Sequence, residues 1–136
     1  TLAYGPGQSI DMFIPSLIDS LLKGQFFAMT PGEQSRDFVY IDDLVDALLK
    51  AAAIEEINGM IFNIGSGTPV QLSEVARMIG SMTGKEKLLK IGEKNYRCGE
   101  IMDYYVDTAK AKKLLGWKPI TTLDVGLQMT IESFTE

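Results

Sequence analysis

The sequence predicts a small α/β or α+β unit, several helices joined by short strands, in one domain over residues 1–136. Three observations predict it. Phe38, Val39, Tyr40 and Ile41 form a run of strand formers behind the turn material Gly32 and Gln34, and a helical pattern follows at once. The turn signal Asn58-Gly59, the apolar run Met60–Ile64 and a helix with Val75, Ala76, Ile79 and Met82 repeat that order. At 136 residues the chain is long enough to bury a single core.

The chain opens with Thr1–Gln8, the end of a strand running into a Gly5-Pro6-Gly7 turn. A first helix is predicted over Asp11 to Lys23, with Ile14, Leu17, Ile18, Leu21 and Leu22 on its apolar face. Pro15 sits near its first turn and Gly24 stops it. Gln25 to Met29 reads as a short strand, its aromatic residues more suited to a core than to stacking on a base. In the next helix Asp42-Asp43 supplies an N-cap and a first-turn negative charge, and Leu44, Val45, Leu48, Leu49 and Ala52 form a packed stripe. Gly65-Ser66-Gly67 after Met60–Ile64 invites a phosphate-loop reading. It has neither Gly-x-Gly-x-x-Gly nor Gly-Lys-Ser/Thr spacing, so a tight connection to a helix capped by Ser73 is expected.

Leu88 to Ile91 reads as a short strand. Asp107-Thr108 caps a helix over residues 109–115, which Gly116 ends and whose lysines form a solvated face. Trp117 is a core anchor. Thr121-x-x-Asp124 resembles a capping box ahead of a last helix with Leu123, Leu127, Ile131 and Phe134 on one face.

Composition narrows the function classes. Hydrophobic content of 46% and charged content of 23% are ordinary for a globular chain. The net charge of −5 argues against a nucleic-acid partner. A single cysteine, Cys98, forbids an intrachain disulfide, and the lack of histidine removes the commonest zinc ligand and neutral-pH proton carrier. No apolar run reaches membrane-spanning length, so no membrane partner and a cytoplasmic location are the default expectations. Arg36 stands at the mouth of the Phe38 strand, where a guanidinium suits a carboxylate or phosphate gripped by two parallel hydrogen bonds. On spacing alone a surface ion pair with Asp37 or Asp43 is the commoner outcome.

Several segments resemble a known family. Arg36-Asp-Phe-Val-Tyr-Ile-Asp-Asp-Leu44 resembles a signature of the extended short-chain dehydrogenase/reductases, the NAD(P)-dependent nucleotide-sugar epimerases, dehydratases and reductases. Tyr4-Gly-Pro-Gly-Gln8 resembles the family's loop between cofactor and substrate, with Leu2 where many relatives carry a phosphate-binding asparagine. Asn63-Ile-Gly-Ser-Gly67 has a family counterpart. Arg97-Cys-Gly-Glu100 resembles the family's Arg-Pro-Gly-Asp/Glu, with Cys98 for proline, and Asp107-x-x-Lys-Ala-x-x-x-Leu-Gly-Trp-x-Pro119 is similar to the family's tail.

The resemblance implies that Arg36 and Arg97 clamp the diphosphate of a nucleoside-diphosphate sugar, that Gly7, Gln8, Met29 and Tyr40 add substrate contacts, and that Tyr4, Gly5 and Pro6 lie on the cofactor side. It further implies that the chain is the C-terminal, sugar-nucleotide-binding portion of a Rossmann-type enzyme whose N-terminal NAD(P)-binding domain is not in this sequence. NAD or NADP is then expected in the full-length enzyme and none in this chain alone. None of Tyr4, Tyr40, Tyr96, Tyr104 and Tyr105 has lysine four residues later, so no catalytic residue is expected, nor any metal. The rival reading is a standalone, non-catalytic nucleotide-sugar- or protein-binding module. Met60–Ile64, deprived of sheet neighbours, is expected to drive self-association.

Overall fold

The computed structural model describes residues 1–135 and shows a mixed α/β fold with parallel and antiparallel strand pairs. Its spine is β3 (Ser35–Tyr40). β1 (Leu2–Tyr4) runs parallel to its C-terminal half, with Ala3 opposite Val39. Its N-terminal half pairs antiparallel with β4 (Pro69–Gln71) and parallel with β6 (Asp103–Tyr104). A separate two-stranded parallel sheet joins β2 (Phe27–Met29) to β5 (Leu89–Ile91).

Successive side chains of a strand point to opposite faces, and β3 uses this to build two cores. Phe38 and Tyr40 face a cluster made with Tyr4, α1 (Phe13–Leu22), α3 (Leu72–Met82) and α5 (Leu123–Glu132). Tyr4 stands edge-on to both rings, 6.1 Å from Phe38 and 5.6 Å from Tyr40. Val39 points the other way, to Ala47 of α2 (Ile41–Ala53), Ala111 and Leu115 of α4 (Ala109–Leu115), and Trp117. Leu17, Ile18 and Leu21 are fully buried and each contributes about 1.5–3 kcal/mol on leaving water. The expected helix faces of α1, α3 and α5 are present, except that Leu22 is exposed and Phe134 lies just beyond α5. The strands expected over 25–29 and 88–91 form at 27–29 and 89–91, and the Gly116 stop at φ +60° and the Trp117 anchor are present.

Several expectations are corrected. Helix α2 begins at Ile41 with Tyr40 at its N-cap, so Asp42 and Asp43 lie inside the first turn. Asp43 is buried and its carboxylate accepts from Ile120 N (3.2 Å) and Thr121 N (2.9 Å), while its carbonyl accepts from Trp117 Nε1 (2.9 Å). It ties down the α4–α5 connection. The stripe on α2 is packed only at Leu44: Val45, Leu48, Leu49 and Ala52 are exposed, and the fully buried residues of the helix are Asp43 and Ala47. Met60–Ile64 forms no strand ladder among the described residues. Phe62 and Ile64 pack inward while Ile61 is 82% exposed, an alternation with one bare side. Gln71, not Ser73, is the N-cap of α3, and Thr122 rather than Thr121 that of α5; β4 intervenes where the sequence predicts a direct loop-to-helix connection.

Candidate nucleotide-binding site

The Gly65–Gly67 loop holds an anion, but the anion is internal. Asp37, fully buried on β3, accepts from Ser66 N (2.7 Å), Ser66 Oγ (2.6 Å), Gly67 N (2.9 Å) and Val106 N (3.4 Å). A Cβ on Gly65 would come within 2.7 Å of the same carboxylate. These donors are occupied by the chain's own carboxylate, which binds the loop and the approach to α4 onto β3.

The arm from Gly92 to Asp103 bridges the two sheets. At one end Gly92 N and Lys94 N donate to Met29 O (both 3.1 Å); at the other Ser35 N donates to Met102 O (2.6 Å) and Ser35 Oγ to Asp103 Oδ1 (2.6 Å). Midway, the Tyr96 hydroxyl accepts from Glu33 N (3.0 Å). Gly32 at φ +73° lets the chain turn beneath it, where a Cβ would strike the backbone nitrogen of Ser73 at 2.7 Å. Arg36 fastens the arm: Nη1 donates to Ser35 O (2.7 Å) and Ile101 O (2.8 Å), and Nη2 pairs with Glu100 Oε1 (2.5 Å). The partner is therefore neither Asp37 nor Asp43.

Under the arm lies a cavity of about 310 Å³. Its apolar side is Phe13, Phe27, Ala28 and Met29; its polar side is Thr30, Gln34, Lys94, Asn95, Arg97 and Glu100. Arg97 is exposed on the arm, and Glu100 N donates to Arg97 O (3.1 Å) across the turn between them. Glu100 thus pairs with Arg36 and lines the cavity together with Arg97. Two other hollows are as large or larger. One of about 610 Å³ beside Gly24, Gly80 and Gly84 has only Lys85, Glu86 and Lys87 as charged groups, and one of about 340 Å³ beside Tyr4 and Ser66 has none. Of these three, the cavity under the arm is the one that sets an arginine and a lysine against aromatic side chains, Phe13 and Phe27.

The Tyr4–Gln8 loop lines a smaller hollow of about 200 Å³ with Ile41. Gly5, at φ +153°, has no room for a Cβ against Ile41. The Tyr4 ring is in the core, with its hydroxyl toward Leu123 O (3.4 Å), and Tyr40 is buried beside it. Burial first, then the charges of Tyr40, Asp43 and Asp124, push the Tyr4 phenol above the ordinary tyrosine range. Tyr40 is raised by burial and then by Asp42. Contact from either residue to a ligand would come from backbone. Gly7 is exposed in the loop, and Gln8 donates to Ala3 O (2.7 Å). Of the expected site residues, the cavity under the arm gathers Met29 and Arg97, with Arg36 behind Glu100; Tyr4 to Gln8 form a separate group. Nothing in the sequence singles out Lys94 or Gln34 as a site residue. Glu100 belongs to the Arg97–Glu100 motif, and only folding shows its partner.

Among the described residues no helix is long and apolar enough to cross a membrane, and no group of acidic, cysteine or histidine side chains could hold a metal. Residues 1–65 match the NAD dependent epimerase/dehydratase family. The chain is 36% identical over 121 residues to CDP-abequose synthase of Salmonella typhimurium, covering 85% of this chain and 40% of that protein. It superposes on the UDP-glucose 4-epimerase of Thermotoga maritima, solved with UDP-glucose, with a TM-score of 0.87 at 32% identity. That match covers 98% of this chain and 43% of the epimerase. MoeE5 in complex with UDP-glucose and NAD gives a TM-score of 0.86 at 33% identity, covering 98% of this chain and 44% of that one. The chain spans about a third to two fifths of the length of the curated relatives it matches. Over its first 65 residues, then, the chain is similar to the NAD dependent epimerase/dehydratase family, and over nearly all its length its fold is similar to that of the solved nucleotide-sugar epimerases.

Proposed function

We propose that this chain is the C-terminal, nucleotide-sugar-binding part of an NAD(P)-dependent epimerase, dehydratase or reductase, and that the cavity under the arm receives the nucleoside diphosphate. The observation that carries this is a cavity with an apolar wall lined by Lys94, Arg97 and Glu100, with Glu100 ion-paired to Arg36. A diphosphate brings about two negative charges, and guanidinium groups match its oxygens with paired, charge-assisted hydrogen bonds. Arg97 and Lys94 meet the ligand directly. Arg36 is neutralised by Glu100, so the ligand's phosphate takes the place of that carboxylate as it binds.

The chain's part is to bind, to orient the sugar and to shield it. The 200 Å³ hollow at Tyr4–Gln8 is below the usual size of a cofactor pocket, about 300–1,000 Å³, and no glycine-rich dinucleotide loop accompanies it. Tyr4, Gly5 and Pro6 offer one wall to a dinucleotide, not a site for it. Hydride transfer and proton transfer therefore fall to residues outside this chain.

Titration calorimetry with UDP-glucose and dTDP-glucose tests the reading. Saturable binding is expected, with R97A and R36A each weakening it about tenfold, the worth of one charge-assisted hydrogen bond. E100Q removes the competing carboxylate and is expected to tighten it. Binding by neither nucleotide-sugar, or R97A equal to wild type, would overturn the assignment.

A further inference from the structure

Gln34 carries an observation that the diphosphate clamp does not use. It is 5% exposed, immediately ahead of β3, and its side chain forms part of the wall of the cavity under the arm. Its amide nitrogen donates to Thr30 Oγ1 (3.2 Å), while its carbonyl oxygen is closed to solvent and has no partner. The Thr30 hydroxyl can donate as well as accept, so turning the amide over exchanges the two atoms without matching both. In either orientation one polar atom of a buried amide is left over. Buried polar groups are nearly always matched, and a leftover one at a cavity wall calls for a partner from the cavity.

We infer that Gln34 is a specificity-determining residue that hydrogen-bonds the polar edge of the ligand's nucleobase. The inference rests on the proposed nucleoside-diphosphate site. The cavity's chemistry separates its two ends. The cations are Lys94 and Arg97, and Glu100 leads to Arg36; these suit the diphosphate. Gln34 is neutral and bonded to Thr30, which directly follows Phe27–Met29 of β2, so it is the uncharged part of the polar side, bonded to the residue next in the chain to the apolar wall suited to a flat, uncharged ring. The terminal torsion of a glutamine side chain has a broad range, so a small rotation presents the leftover atom to a base. A pyrimidine edge offers adjacent N–H and C=O groups and satisfies it in either orientation.

The test is titration of the full 136-residue chain with two probes, UDP and inorganic pyrophosphate, for wild type and Q34L, with a thermal melt of each unliganded protein. Leucine keeps most of the volume and removes the leftover atom. UDP affinity is expected to fall about five- to tenfold, the worth of one matched hydrogen bond. Pyrophosphate affinity and the melting temperature are expected to stay as in wild type. Unchanged UDP binding, an equal loss for both probes, or a melt far below wild type would each overturn the assignment, the last two by showing a structural role. Wild type that binds pyrophosphate but gains nothing from the uridine refutes base reading while leaving the diphosphate clamp. Wild type that binds neither refutes the site itself.

Discussion

Replacing Asp37 by asparagine changes one oxygen for an NH2 group and leaves the volume almost untouched, so it isolates the electrostatics of the internal anion. Both carboxylate oxygens are committed: Oδ1 to Ser66 N and Oγ, Oδ2 to Gly67 N and Val106 N. With nitrogen at Oδ2, Gly67 N and Val106 N forfeit their acceptor; with nitrogen at Oδ1, Ser66 N does, while the Ser66 hydroxyl can turn to Thr68 O. Either way an N–H faces another N–H in a site closed to water, and the charge that held all four donors is gone. Hydrogen bonds to a charged group contribute about 1.5–3 kcal/mol each, which puts the loss at about 3–5 kcal/mol. A domain of this size then melts roughly 10–15 °C lower. Urea unfolding followed by circular dichroism is the assay, and the midpoint should fall with the slope unchanged. A loss below about 1 kcal/mol would refute the reasoning, because Asp37 would then be no more than a tolerated carboxylate.

Three further outcomes are expected. D43A strips Ile120 N and Thr121 N of their acceptor and should cost about 1–3 kcal/mol, yet Trp117 Nε1 bonds a main-chain carbonyl that survives; chemical denaturation should therefore shift while the folded-state tryptophan emission maximum does not. Because the folded protein holds the Tyr4 phenol above its ordinary range, the associated stability is whole below about pH 10 and is lost as pH rises through the higher folded value; Y4F should show a shallower alkaline decline in urea midpoint than wild type, and equal declines would contradict this. Leu48 and Leu49 are 61% and 66% exposed on α2, so the chain should associate with rising concentration in sedimentation velocity and L48E/L49E should remain monomeric; a wild-type monomer at every concentration would refute association.

The fold was legible wherever a pattern is local. Ile14, Leu17, Ile18 and Leu21 repeat at helical spacing, and all four are buried in α1 as their spacing demands. Gly116 and Asp107 bound α4 through φ and through the Asp107 carboxylate on Ala109 N, both rules that act within a few residues. The failures share a cause. Leu44, Val45, Leu48, Leu49 and Ala52 make a sound apolar stripe, but a stripe says only that a face seeks cover, and in this chain Val45, Leu48 and Leu49 have none. Met60–Ile64 has strand composition and strand-like alternation, yet a ladder needs a neighbour's backbone, and none of the described residues supplies it. Asp42-Asp43 looks like a cap because capping is the commonest use of a carboxylate at a helix start; Asp43 instead serves a loop 77 and 78 residues away.

The candidate site is less legible for a reason that goes beyond distance. Its arginines can be found from a motif, but what a guanidinium does is set by how many of its donors are already taken. Arg36 donates to two carbonyls and a carboxylate, the carboxylate lying 64 residues away, and no spacing rule pairs those positions. Arg97 stands exposed with no such partner among the described hydrogen bonds, though the two residues are equal as letters. The same logic separates Asp37 from Glu100. One carboxylate is sealed under four donors and holds the fold; the other, 21% exposed at the cavity, holds one cation that a phosphate can claim. Exchange is affordable only for the second, since its displaced charge returns to water rather than staying buried. The functional difference between these acids is thus a difference in solvation after release.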